Sequence, residues 1–391
     1  MMSPHFPQIM ARCMIALVCA GFLLKGNAAQ AGNWQLFPTL EQSGMWQSNV
    51  LMSRQDPIEL YGSITTANLM MSSKTPTSSL DFGGKVLQNI FNESGFNSTD
   101  FHGQVQAKKR VARWEAALKS SGDYDTTRTS EITSFGLDTK TVRHTAYSAT
   151  PELTFQPNET NKIAASVTYS VSRYDDTIYT DYNVANAKTT WTHQLTPQTS
   201  GLFLLKARRY QTENNTDKTV DSAGPSLGFH YAFSERLIAR MTAGLEASKQ
   251  EGENIAKSSW EWSTVFSGGL NFKGEQDVLD VTASREQQPY GNGTSSLLTA
   301  LSFTENHAIN QRYGIVIGGR YARAQQSATS SSTLKNQMSG NAGVVYHATQ
   351  EVDVSALYRY REESYRGTSD KATDNSGMVN IQYRPVLGAR R

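Results

Sequence analysis

Cysteine is almost absent from this chain. The two that occur, Cys13 and Cys19, both lie within the first 31 residues. The remainder can form no disulfide and offers no thiolate to a metal. Long apolar runs are also missing after that segment. None approaches the roughly 18 residues that a membrane-spanning helix needs. Charge of one sign is lacking too. There are 37 Lys and Arg against 35 Asp and Glu; setting aside Arg12 and Lys25, which precede residue 32, leaves 35 against 35. A neutral chain has no basic field for nucleic acid. The nucleophile-elbow, zincin and P-loop patterns do not occur, and His102, His144, His193, His230 and His347 lack the spacing of metal ligands. No catalytic residue, cofactor or metal is therefore expected, and no enzyme.

The first 31 residues read as a secretory signal. Arg12 supplies a positive start, Cys13 to Leu24 is apolar, and Ala29-Gln30-Ala31 is a small-residue cleavage site before Gly32. Residues 32–391 show no break in composition and read as one domain.

What fills that domain is alternation. In Tyr313 to Ala322, Tyr313, Ile315, Ile317, Gly319 and Tyr321 share one face, and Gly314, Val316, Gly318, Arg320 and Ala322 share the other. Val352 to Arg361 and Leu237 to Ala247 repeat the pattern. Period two is what a pleated strand shows when its two faces meet different solvents. Pairs of such strands pivot at Pro157-Asn158, Pro197-Gln198, Ser234-Glu235, Lys273-Gly274, Glu305-Asn306 and Thr349-Gln350. Longer Gly/Ser/Thr/Asn-rich connections separate the pairs. Aromatics such as Trp191, Trp262, Phe303 and Tyr358 gather near strand ends, where a ring can be half apolar and half wet. The expected fold is all-β: a transmembrane antiparallel β-barrel of about 18 strands, or 16 because the first five alternate poorly. Its short turns and both termini would face the periplasm, in a bacterial outer membrane. The loop 122–143 is the one long candidate for an inward constriction, and either it or the polar segment 44–57 would fill a plugged lumen.

A barrel of this size is too wide for side chains to fill. The inward faces are rich in hydroxyls and amides, with charge that leans basic. The candidate lumen-lining residues are Lys188, Lys206, Arg208, Arg240, Arg320, Arg359 and Arg361, joined by Lys108, Arg113 and Lys119, against Glu115, Glu152, Glu246, Glu261, Asp280 and Asp353. Such a set either favours anions or acidic sugars or braces the wall as cross-strand ion pairs.

Three stretches carry a family resemblance. The first is Trp34, Phe37-Pro38-Thr39-Leu40-Glu41 and Trp46-Gln47-Ser48-Asn49-Val50. The second is Tyr124-Asp125-Thr126-Thr127-Arg128-Thr129-Ser130-Glu131 with Gly136-Leu137, ahead of a strand containing Pro151. The third is the hairpin Phe229 to Leu237. Together they resemble the β-barrel porin 2 family, outer-membrane proteins encoded with exopolysaccharide and exosortase systems. The resemblance implies a barrel that gives a surface polysaccharide its exit, docks periplasmic polysaccharide-export components at the short-turn face, and offers rings such as Tyr210 for the polymer to stack on. The residues themselves fit two other readings: a general or anion-preferring diffusion porin, and a plugged structural or anchoring barrel.

Overall fold

The computed structural model describes residues 34–128, 141–213, 218–252, 259–289, 295–325, 334–365 and 371–385. The signal assigned to 1–31, with both cysteines, lies outside the described residues. The strands are β1 (Trp34–Gln47), β2 (Leu60–Lys74), β3 (Ser78–Phe91), β4 (Ser98–Val111), β5 (Trp114–Thr126), β6 (Arg143–Phe155), β7 (Asn161–Tyr174), β8 (Asp181–Gln194), β9 (Thr199–Glu213), β10 (Lys218–Ala232), β11 (Leu237–Gly252), β12 (Glu261–Lys273), β13 (Asp277–Pro289), β14 (Ser295–Ala308), β15 (Tyr313–Gln325), β16 (Leu334–His347), β17 (Val352–Tyr365) and β18 (Lys371–Tyr383). Each pairs antiparallel with the next. The last closes on the first, from Leu40 opposite Tyr383 to Gln47 opposite Ser376. Closure of the ring leaves no free edge strand, so the ladders pair their backbone groups without water. Among the described residues no helix is long and apolar enough to cross a membrane; this chain crosses with strands.

The pairing register transmits one facing around the whole ring. Leu40, Ala67 and Val86 fall on one face, and so do Leu227, Met241, Leu301, Ile317, Val344 and Val379. That face is a continuous exposed apolar surface. In water it would be an aggregation surface; against acyl chains it costs nothing. Aromatic girdles bound it. Trp34, Trp114, Trp191 and Tyr313 stand at the short-turn end, and Trp46, Tyr61, Trp262, Tyr321 and Tyr358 towards the long loops, all exposed. Trp114 stacks on Phe155 at 4.3 Å, and Tyr313 on Tyr346 at 5.0 Å.

One device builds most of the short turns. A side-chain oxygen accepts from the backbone N–H groups two and three residues later. Asn158, Thr196, Ser234, Asn310 and Thr349 do this. It satisfies donors that the reversing chain leaves unpaired. The device corrects one sequence pivot: Glu305-Asn306 is not a turn, because β14 runs on to Ala308 and the chain reverses at Asn310. Arg113 likewise sits in the connection between β4 and β5 rather than in the wall. Replacing Asn310 with Ala is expected to cost about 1 kcal/mol, one net hydrogen bond. It should read as a lower urea midpoint for the folded, heat-modifiable band.

The long-loop end differs. There the inner face packs into small cores: Val50, Leu60, Phe91 and Phe96; Val142, Tyr174 and Tyr179; Val184, Tyr210 and Val220; and Leu298, Ala322 and Ala324. β1 runs through Gln47 and β5 through Thr126, so the loops expected at 44–57 and 122–143 are shorter, at 48–59 and 127–142. The first lies against the inner wall, with Val50 fully buried on Leu60 and Phe91. The second has inward roots: the Thr127 N–H donates to the Val142 carbonyl at 2.9 Å, and the Arg128 guanidinium lies 4.9 Å from the Phe91 ring. Residues 129–140 fall outside the described set.

Candidate functional site: the lumen

All seven candidate cations project from the inner face by register. Lys188 on β8 stands directly opposite Lys206 on β9. Glu152 is their nearest acid on the same rung, separated from Lys188 by Ser166. Like charges directly opposed across two strands destabilise a sheet, so this pair has no bracing value. Neither lysine forms a salt bridge among the described residues, and the same holds for Arg240 and Arg359.

Three of the arginines share a single hydrogen-bonded rung. It passes from His230 through Arg240, Gly269, Thr282, Ser302, Arg320, Ser339 and Arg361 to Asp374. Strands of a barrel are tilted, so a rung perpendicular to them climbs as it circles. This one rises from near the short turns at Arg240 to the long-loop end at Arg361. Arg359 sits one inward position lower on β17, with Asn341 and Gly318 on its own rung. β8 and β17 are nine strands apart in a ring of eighteen. The lysine pair and the Arg359 sector therefore face each other across the lumen.

Two candidates have other roles. Arg361 is buried and paired with Asp374 at 3.6 Å, inside the wall. Arg208 reaches the backbone carbonyl of Gln287, four strands away on β13. That carbonyl is available because β12 and β13 pair only between Phe266 and Lys273, against Val278 to Arg285, and part beyond. The bridge spans from β9 to β13 on the inner side of the long-loop end. Lys108 is a brace, 2.9 Å from Glu115, which also holds Arg110. Tyr210 is 1% exposed, packed on Val184 and Val220 beside Tyr182. It offers no face to a passing molecule, contrary to the sequence expectation.

The remaining sector, β1 to β5, is mixed in sign. Glu41, Lys85, Asn68, Gln104, His102 and Asp123 line a polar recess of about 440 Å³. His102 and Asp123 belong to a set that sequence reading missed. Four histidines bond an aspartate directly opposite on the next strand: His102 to Asp123, His144 to Asp125, His307 to Asp277 and His347 to Asp353, at 2.6–2.9 Å. Spacing along the chain could not reveal these pairs, because they exist only once the register is set.

The comparisons agree with the architecture. No family model matches the chain, and no curated protein does. Among solved structures, a BenF-like porin from Pseudomonas fluorescens Pf-5 aligns with a TM-score of 0.51 at 10% identity, covering 90% of this chain and 99% of that one. Pseudomonas aeruginosa OccK2 (OpdF), solved in complex with glucuronate, aligns with a TM-score of 0.50 at 8% identity, covering 91% and 100%. At this identity the likeness is one of fold, a barrel of outer-membrane porin type. The closed 18-stranded ring, its lipid-facing belt and its paired girdles place the chain in a bacterial outer membrane.

Proposed function

We propose that this barrel is an outer-membrane diffusion channel that prefers small anions, carboxylated sugars among them. The observation that carries the reading is the Lys188–Lys206 pair, like charges opposed without a salt-bridging acid and set across the lumen from Arg359. A solute carboxylate supplies the counter-charge that the wall withholds, and sites on opposite walls let it pass from one to the other. Glucuronate, held by the OccK2 structure, has the required chemistry and is a suitable probe.

The exopolysaccharide conduit implied by the resemblance has less support. No family model backs it, and Tyr210 is withdrawn into a core. The periplasmic export partners fall with it. The fold is one of channels, and no catalytic role is proposed.

The test is the reversal potential of the purified, refolded protein in a planar bilayer under a salt gradient. Anion preference with reversible glucuronate block is the expected result. Cation preference, or no conductance, would remove the reading.

A further inference from the structure

On the outer wall, cations near the long-loop end are neutralised one by one. Arg209 bonds Asp221 at 2.7 Å, Lys249 bonds Glu251 at 2.5 Å, Arg173 bonds Glu213 at 2.7 Å, and Lys371 bonds Glu362 at 2.7 Å. Arg285 on β13 and Arg323 on β15 break the pattern. They share the lipid-facing side, flanking Thr299 on the strand between them. Neither forms a salt bridge among the described residues. The connections that follow their strands, 290–294 and 326–333, contain no Asp or Glu. Arg285 Nη2 donates to Gln325 Oε1 at 2.8 Å, while its Nε is buried without a partner. Because the Gln325 oxygen is taken, its amide N–H groups are left as further donors.

Their depth identifies the ligand. One outward position nearer the bilayer centre, the row reads Ala283, Leu301, Tyr321 and Met338, and the last three are exposed. The two arginines stand just on the water side of the Tyr321 girdle, where headgroups lie. Their Cα atoms are roughly 10 Å apart, two strand spacings. Guanidinium groups on flexible stems can converge on one phosphate across that gap, with bidentate geometry. Below them the apolar row receives acyl chains.

We infer that Arg285 and Arg323, with Gln325, form a lipid-facing site for the phosphate of an outer-leaflet phosphorylated saccharolipid. This rests on the outer-membrane reading with the long loops facing out, and it is independent of what the pore carries.

The experiment is native mass spectrometry of the full barrel, released from detergent with bisphosphorylated lipid A, its dephosphorylated form, or phosphatidylglycerol. Wild-type protein should retain bisphosphorylated lipid A well above the other two. R285Q/R323Q should lower that retention roughly thirtyfold, at about 1 kcal/mol for each of the two basic side chains near a charged lipid surface. R209Q, which touches a neutralised arginine, should not change it. Conductance of the double variant should match the wild type, which separates failure of this site from failure of the channel reading. Equal retention by the double variant would overturn the assignment. So would equal retention of the dephosphorylated lipid, or of phosphatidylglycerol. The wild-type lipid comparison stands even if the double variant does not fold.

Discussion

Exchanging Lys188 and Lys206 for Glu turns the channel from anion-preferring to cation-preferring. The two side chains are directly opposed on neighbouring strands, so their fields add at one level of the lumen. Two unit charges 4 Å apart in water interact by about 1 kcal/mol, and more where low-dielectric walls crowd the path. Reversing two charges therefore shifts the anion-to-cation permeability ratio by roughly tenfold or more. The reversal potential under a salt gradient measures it. The effect should shrink in concentrated salt, because the screening length falls from about 10 Å at 0.1 M to about 3 Å at 1 M. Arg209→Gln is the control: it also removes a cation, but from the lipid side, where Asp221 already neutralises it. It should leave selectivity unchanged. A double exchange with an unaltered reversal potential would mean that solutes pass elsewhere, along the recess lined by Glu41 and Lys85.

The facing of residues was legible in the sequence because lipid enforces it. Tyr313, Ile315, Ile317 and Tyr321 must all be apolar when one face meets acyl chains, and period two then assigns Arg320 to the lumen without any structure. The same count continues to Arg323, two positions past Tyr321 on the lipid face, so the exposed arginine could have been read from β15 alone. Turn positions were less legible. A turn built on a hydrogen-bonding side chain needs only Asn, Ser or Thr at the right offset, and this chain is rich in all three. Hence Glu305-Asn306 passed for a pivot that lies at Asn310. What the chain could not disclose is contact between strands far apart in sequence. Arg208 reaching Gln287, Tyr210 burying itself on Val184, and the four His–Asp pairs all depend on register and on where the wall bends. Whether an inward cation braces or attracts is decided by its cross-strand partner. Lys108 meets Glu115, whereas Lys188 meets Lys206.

The seam where the barrel closes depends on Asp374. Its carboxylate is fully buried and accepts from Gln47 Nε2 at 3.0 Å, from Ser48 Oγ at 3.4 Å and from the Asn49 N–H at 2.9 Å, while Arg361 stands 3.6 Å away. β1 and β18 share eight residue pairs, from Leu40–Tyr383 to Gln47–Ser376, whereas β1 and β2 share fourteen. The seam is thus the shorter join, and Asp374 extends it by tying the start of loop 48–59 to β18. Asp374→Ala strips the acceptors from three donors and leaves the 5%-exposed Arg361 side chain without its counter-ion. Breaking a buried pair on one side costs about 3–5 kcal/mol. The temperature at which the folded, heat-modifiable band converts to the unfolded one should therefore fall more than for any turn variant. Asp374→Asn keeps an acceptor for Gln47 or Asn49 and should lose less. Asp374→Asn with Arg361→Gln removes the pair as a unit and should recover part of the loss of Asp374→Ala, since neither member is left buried without the other; the neighbouring buried Glu363 keeps its bonds from Gln337 and Tyr365. If Asp374→Ala melts with the wild type, the seam is held by its backbone ladder alone, and the burial of Arg361 requires another partner.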